Sequence, residues 1–222
     1  MNTLQRHDLL VPTPACRERI AGLMADDSVA HGARMAEEFG TGNIPAIVRR
    51  NAPCDAGRIG VGISFPIRIK DSRLRFSAAL LPAEIGAVIS PFELLASTAQ
   101  GGSPQLRALN AVRADLPVRR GNLGVFGACA LQLATGADYL HDASDIDLLI
   151  RSESFTTLCE THALLSEFEH ETSIRIDCEV ILGSGGGVKL KELISKQKAV
   201  LVKTIHSVEL LSRADAIASL VQ

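Results

Sequence analysis

Charged and apolar residues mix at helical spacing through "ACRERIAGLMADDSVAHGARMAEEFG" (Ala15–Gly40), which predicts one or two helices with a stop at Gly40. "IPAIVRR", "RIGVGISF" and "RLRFSAALL" then carry β-branched and alternating residues, the signature of short strands. "SPFELLASTAQ" switches back to a helix: Ser90 is placed to cap it, Pro91 takes its first position, and Glu93 follows three residues after the cap. "SPQLRALNAVRADL" repeats that start with Ser103 and Pro104. The first of these starts puts a domain boundary near Ile89–Ser90. It divides an amino-terminal α+β domain, residues 1–89, from a carboxy-terminal domain, residues 90–222.

The second half alternates regularly. "LGVF" reads as a strand, "GACALQLATG" as a turn into a helix, and "DIDLLI" as a strand. "ESFTTLCETHALLSEFE" reads as a helix and "SIRIDCEVIL" as a strand. "LKELISKQ" reads as a helix, "AVLVKT" as a strand and "VELLSRADAIASLV" as a final helix. Strands alternating with helices imply an α/β layer. "GSGGGV" (Gly183–Val188) is the one flexible patch, and with no Lys-Ser or Lys-Thr after it, it is not a phosphate loop.

Composition narrows the function. Of 222 residues, 46% are hydrophobic, enough for a substantial core, but only 4% are aromatic and none is Trp. That argues against a single-strand nucleic-acid binder, which needs aromatic platforms for bases. A net charge of −2 offers polyanions no general attraction, so phosphate must be met by local Arg and Lys. Five cysteines with no Cys-x-x-Cys pair indicate reduced thiols and neither a disulfide framework nor a zinc knuckle. No apolar run suits a secretory signal or a membrane span, so a soluble, cytoplasmic protein is expected, with no nucleic-acid or membrane partner.

The candidate chemistry sits in "SDIDLLI" (Ser144–Ile150). Residues two apart on a strand share a face, so Asp145 and Asp147 project together while Ile146 and Leu148 turn the other way. Parallel carboxylates repel unless a proton or a cation lies between them. Magnesium suits the position, because it takes oxygen ligands and shares them with phosphate. An isolated Asp-x-Asp is more often a solvated turn, but further features weigh against that here. "RIDCEV" supplies Asp177 and Glu179 on a second strand, and Asp177 can face the same cation if the two strands are neighbours. The alternative is a solvent-facing stripe continued by Arg175. Before the acid pair, a strand runs into Gly127 and a helix begins, which offers free N–H groups and close backbone approach to a phosphate. His141 and Asp142 stand beside the site; His141 reads as an ordinary loop residue.

Strand, Gly turn, helix, Asp-x-Asp strand and a further Asp on the next strand together resemble the nucleotidyltransferase superfamily. The resemblance implies a mixed sheet flanked by helices. It also implies magnesium bound by Asp145 and Asp147, with Asp177 completing the site. Ala128 stands where that superfamily commonly has Ser, though the backbone N–H groups remain.

A narrower set runs in order along nearly the whole chain: "RHDLL", "IPAIVRR", "GVGISFPIRIKDSRLRFSA", "SPFELL", "GVFGACALQLATG", "SDIDLLIR", "RIDCEV" and "VLVKT". It is similar to the malonate decarboxylase holo-acyl-carrier-protein synthase family, the phosphoribosyl-dephospho-CoA transferases. The tryptophans usual in that family are absent. The resemblance implies transfer of phosphoribosyl-dephospho-CoA from 2'-(5''-triphosphoribosyl)-3'-dephospho-CoA to a serine of the decarboxylase's acyl-carrier subunit, with release of pyrophosphate. Gly127 and Ala128 would meet the triphosphate. Arg73, Arg75 and Lys203, which lie in matching segments, would clamp the donor's phosphates. Two other readings stay open at this point: a metal-dependent nucleotidyl- or glycosyltransferase using Asp-x-Asp, and a degenerate fold that only binds a carrier protein.

Overall fold

A computed structural model describes residues 4–26, 28–50, 57–96, 102–151 and 153–220. The polypeptide divides into two units. One runs up to Ser90 and includes Thr135–Tyr139; the other takes Pro91–Ala134 and the chain from Leu140 onward.

The first unit is built of β1 (Leu9–Pro12), α1 (Pro14–Met24), α2 (Gly32–Thr41), β2 (Ala46–Val48), β3 (Ile59–Ile69), β4 (Ser72–Leu80) and β5 (Ile85–Ile89). Its sheet has the order β4-β3-β2-β1-β5 and is antiparallel throughout. The mixed run after Ala15 is two helices, separated at His31, whose φ is 60°. Thr13 caps α1 by accepting from the Cys16 N–H. Arg17 ties α1 to α2 and to the segment leading into β2: it donates to the carbonyls of Phe39 and Ile44 and lies 4.7 Å from the Phe39 ring centre. Ile20, Met24, Phe39, Ile63 and Phe65 are fully buried at the heart of this unit. Strands β1 and β5 are not predicted by the local sequence pattern. Each is short, and each is a strand because the other is there, with Leu9 opposite Ile89.

The second unit holds α3 (Pro91–Ala96), α4 (Pro104–Asp115), β6 (Leu123–Phe126), α5 (Gly127–Thr135), β7 (Ile146–Arg151) and α6 (Phe155–Thr172). It continues with β8 (Ile176–Ile181), β9 (Gly187–Lys189), α7 (Leu190–Ile194), β10 (Ala199–Lys203), β11 (Val208–Ser212) and α8 (Arg213–Ala218). Ser103 caps α4 as its sequence requires. The end of the helix expected from Ser90 falls outside the described residues. The sheet order is β11-β10-β9-β8-β7-β6. It is mixed: β7 and β8 are parallel, and their neighbours join antiparallel. Parallel neighbours need a crossover, and α6, capped by Ser154, supplies it. The whole chain is thus α+β.

Ile146, Leu148 and Ile150 on β7, with Ile176, Cys178 and Val180 on β8, bury one face of this sheet. Their odd-numbered neighbours therefore face the other way.

Two expectations are corrected. "VELLSRADAIASLV" does not form one helix: Val208–Ser212 is an edge strand paired with β10, Leu210 opposite Leu201, and only Arg213–Ala218 is helical. A tight turn decides this. Thr204 Oγ1 accepts from the N–H groups of His206 and Ser207 and folds the chain back on β10. "GSGGGV", expected as a flexible patch, is the turn of the β8–β9 hairpin. The Leu182 N–H donates to the Gly186 carbonyl, the Gly185 N–H donates to the Leu182 carbonyl, and Gly187 and Val188 are in the strand. A side chain at Gly186 would collide with Val202 Cγ1 at 2.4 Å. This glycine is there for packing.

Candidate active site

The parallel register of β7 and β8 sets Asp147 directly opposite Asp177. Neighbouring strands lie about 4.8 Å apart, so the two carboxylates stand side by side on the face opposite the apolar one. Asp145 precedes β7, where the Ile146 N–H donates to the Arg175 carbonyl and ties the heads of the two strands together. Glu179 continues the acidic row on β8 and is 4% exposed.

From the other side, β6 ends against Asp147, with Phe126 opposite it, and the chain turns at once into α5. Gly127 makes the turn with φ +66°, a conformation side chains resist. A Cβ on Gly127 would lie 1.8 Å from Asp147 Oδ2. The absent side chain is the space that Asp147 fills, so the carboxylate sits at the mouth of α5.

Cations surround the acids. Lys189, opposite Glu179 in the β8–β9 ladder, reaches across to Asp177 Oδ2 at 2.9 Å. Lys203 Nζ lies 3.6 Å from Glu179 Oε1. Arg175 Nη2 stands 2.7 Å from Asp145 Oδ1, but not in line with an N–H, so that buried oxygen accepts no hydrogen bond among the described residues. Asp147 forms no such ion pair among the described residues. Burial raises its carboxyl from 3.8 to about 7, helped by the charges of Asp177, Asp145 and Glu179 and opposed by Lys189.

Cys129, two residues into α5, is fully buried, and its thiol is pushed up to about 12, first by burial and then by Asp147. It is a neutral core residue. Cys16 and Cys178 are buried as well, and Cys54 lies outside the described residues. His141 is exposed and braces its own turn, its Nδ1 accepting from the Ala143 N–H. Gln105 holds that turn by donating to the His141 and Asp142 carbonyls. Glu153, another buried acid, accepts from the Arg119 N–H and Asn122 Nδ2, which accounts for it structurally.

The structure thus collects Asp145, Asp147, Asp177, Gly127, Ala128 and Lys203 in the second unit. Arg73 and Arg75 belong to the first, side by side on one face of β4. Arg73 opposes Arg68, and Arg75 opposes Ser64. Arg73 is half-buried: it donates to the Tyr139 carbonyl and lies 5.4 Å from the Tyr139 ring centre. Its Nε is buried without a hydrogen-bond partner among the described residues. Burial, then the charges of Arg68 and Arg75, lower its proton affinity. Arg75 is exposed.

Lys189 is a member of the site that the sequence does not announce. A lysine that reaches its partner across a ladder leaves no local spacing to detect, and β9 itself is not anticipated by its pattern.

The donor set suits a hard divalent cation. It consists of carboxylate oxygens alone; Asp145 Oδ1 accepts no hydrogen bond among the described residues, and Asp147 is short of positive charge. As they stand, no three His, Cys, Asp or Glu side chains among the described residues are arranged to hold a metal ion. Among the described residues no helix is long and apolar enough to cross a membrane.

Two family models account for most of the chain. That of the phosphoribosyl-dephospho-CoA transferase MdcG N-terminal domain matches residues 5–91, and that of the C-terminal domain matches residues 93–214. Curated relatives carry the name phosphoribosyl-dephospho-CoA transferase. One from Pseudomonas putida is 32% identical over 212 residues, 96% of this chain and 95% of its own. One from Xanthomonas campestris pv. campestris (strain 8004) is 30% identical over 181 residues, 81% of this chain and 84% of its own. One from Bradyrhizobium diazoefficiens is 29% identical over 213 residues, 94% of this chain and 90% of its own. No solved structure matches the chain.

Proposed function

Because the chain belongs to the phosphoribosyl-dephospho-CoA transferase family and is a transferase, we propose that it moves the phosphoribosyl-dephospho-CoA group of 2'-(5''-triphosphoribosyl)-3'-dephospho-CoA onto a serine of the malonate decarboxylase acyl-carrier subunit. The observation that carries this reading is the pairing of Asp147 with Asp177 on one sheet face, beside a helix mouth opened by Gly127.

In the proposed reaction the serine Oγ bonds to the phosphorus that carries the pyrophosphate, the bond to pyrophosphate breaks, and the serine proton passes to a base. Asp145, Asp147 and Asp177 are the residues to hold a magnesium ion. A magnesium ion held there would supply charge neutralisation at the phosphate oxygens. Asp177 alone comes from the neighbouring strand and takes the role of orienting and deprotonating the acceptor hydroxyl. The first N–H groups of α5, at Gly127 and Ala128, point where a phosphate is welcome. An alanine at 128 contributes no hydroxyl, so backbone groups carry that contact.

The reading is tested by mixing the protein, the donor, magnesium and the apo carrier subunit. The carrier gains the mass of the donor minus that of the pyrophosphate released. Chelation of the metal, or Asp145→Asn together with Asp147→Asn, abolishes the gain. Hydrolysis of sugar nucleotides in place of this transfer would overturn the assignment.

The arginines of β4 supply a second test. Arg75 is exposed and suited to pair with phosphate oxygens. Arg75→Ala raises the donor KM about tenfold with kcat changed little, the loss of one charge-assisted hydrogen bond. Arg73→Ala does the same and also lowers stability, because the Tyr139 carbonyl and ring lose the guanidinium. Unchanged donor KM in both variants removes β4 from the phosphate clamp.

A further inference from the structure

Three acids on the second sheet each have a cation close by, but the three cations are differently placed. Arg175 is three-quarters exposed and approaches Asp145 without a hydrogen bond. Lys203 sits at 3.6 Å from a buried glutamate. Of the three, Lys189 makes the direct, 2.9 Å hydrogen-bonded contact with one of the proposed ligands, Asp177.

Its position explains how. Lys189 is the last residue of β9 and the N-cap of α7, so its backbone is fixed by both elements. Its ladder partner is Glu179, yet the ammonium passes that residue to reach Asp177. The side chain is 41% exposed, and that of Asp177 is 36% exposed. A long, half-solvated lysine stem can swing between two oxygen partners without disturbing the strand.

Resting on the metal-binding reading above, we propose that Lys189 is a resident counter-ion: it occupies Asp177 in the metal-free protein, yields that carboxylate to the divalent cation, and then pairs with the donor's phosphate oxygens. Charge alone sets two consequences. While the ammonium holds Asp177, a metal must compete with it, so Lys189 weakens metal binding. Once released beside the site, the same charge favours a polyphosphate. A lysine that only braced the hairpin would do neither.

The experiment measures two equilibria by calorimetry, magnesium alone and then magnesium triphosphate at saturating magnesium, on the full chain. The parent protein is compared with Lys189→Met, with Lys189→Gln as a second neutral variant, and with Lys189→Arg. Both neutral variants bind magnesium about tenfold more tightly and magnesium triphosphate about tenfold more weakly, the scale of one screened charge at contact distance. Lys189→Arg restores triphosphate affinity to within about threefold of the parent, since a guanidinium also pairs with phosphate. Neutral variants whose magnesium affinity equals that of the parent overturn the counter-ion role. Tighter magnesium with unchanged triphosphate overturns the hand-over to phosphate. If the parent binds no magnesium at all, the metal-site reading itself has failed, and this proposal falls with it.

Discussion

Metal-free Asp147→Asn protein is expected to be more stable than the parent at pH 8 and equal to it near pH 4. The sign comes from where the carboxyl titrates. In the folded chain Asp147 is raised from 3.8 to about 7, so the folded state holds a proton that the unfolded state has released. The parent therefore loses stability as pH rises between those values, and the loss is complete above about 7. Fully ionised, the buried carboxylate costs up to roughly 4 kcal/mol. An amide of the same shape carries no charge to desolvate and escapes that cost. The measurement is a pair of denaturant titrations, parent and variant, across pH 4–8 in chelator. Their free-energy gap opens with pH and closes again for the parent when magnesium is added, because a cation bound only by the folded state stabilises it. Transfer activity in the same variant falls roughly 10³-fold or more, the scale of removing charge stabilisation at a phosphoryl centre. A variant less stable than the parent at pH 8 would mean that Asp147 is held by favourable contacts and is not poised for a cation.

Gly127→Ala has the second large effect. The added methyl group meets Asp147 Oδ2 at 1.8 Å, far inside contact distance. The residue would also have to keep φ +66°, which costs an alanine about 1–2 kcal/mol. The carboxylate is the softer of the two, so it moves out of the helix mouth. Transfer is expected to drop at least about 100-fold, as for a catalytic group misplaced by 1 Å, and magnesium affinity to fall with it. Stability drops by only about 1–3 kcal/mol. Gly136, with φ +74° and open space around it, is the control: Gly136→Ala bears the same backbone strain and leaves activity near that of the parent. Equal activities in the two variants would show that the Gly127–Asp147 contact is unimportant.

The elements around the acids are legible in the sequence because each declares itself locally. β7 is an aliphatic run headed by Asp145 and Asp147, α6 carries its cap at Ser154, and α5 follows β6 directly at a glycine. That Asp147 and Asp177 share a face is legible only conditionally, since it depends on β7 and β8 being neighbours in register. Elements defined by a distant partner are not legible. β1 and β5 pair across more than 70 residues, and β11 is a strand through its hairpin with β10, although its sequence also suits a helix. The role of Gly127 shows a finer limit. The sequence suggests room for a phosphate, whereas in the folded protein that room is first taken by Asp147. Lys189 escapes notice for the same reason as β9: its partner lies across a ladder.

The short excursion Thr135–Tyr139 bears on how this polypeptide can be dissected. Tyr139 is 1% exposed and donates its hydroxyl proton to the Ser64 carbonyl, inside the unit formed by the chain's first 90 residues. The backbone therefore visits that unit twice, and severing it once after Ser90 does not yield two finished halves. The upstream piece would lack an aromatic plug for its interior, and the downstream piece would carry that plug with nowhere to put it. Separately expressed fragments call for a graft of the five residues onto the first and a short polar bridge in the second.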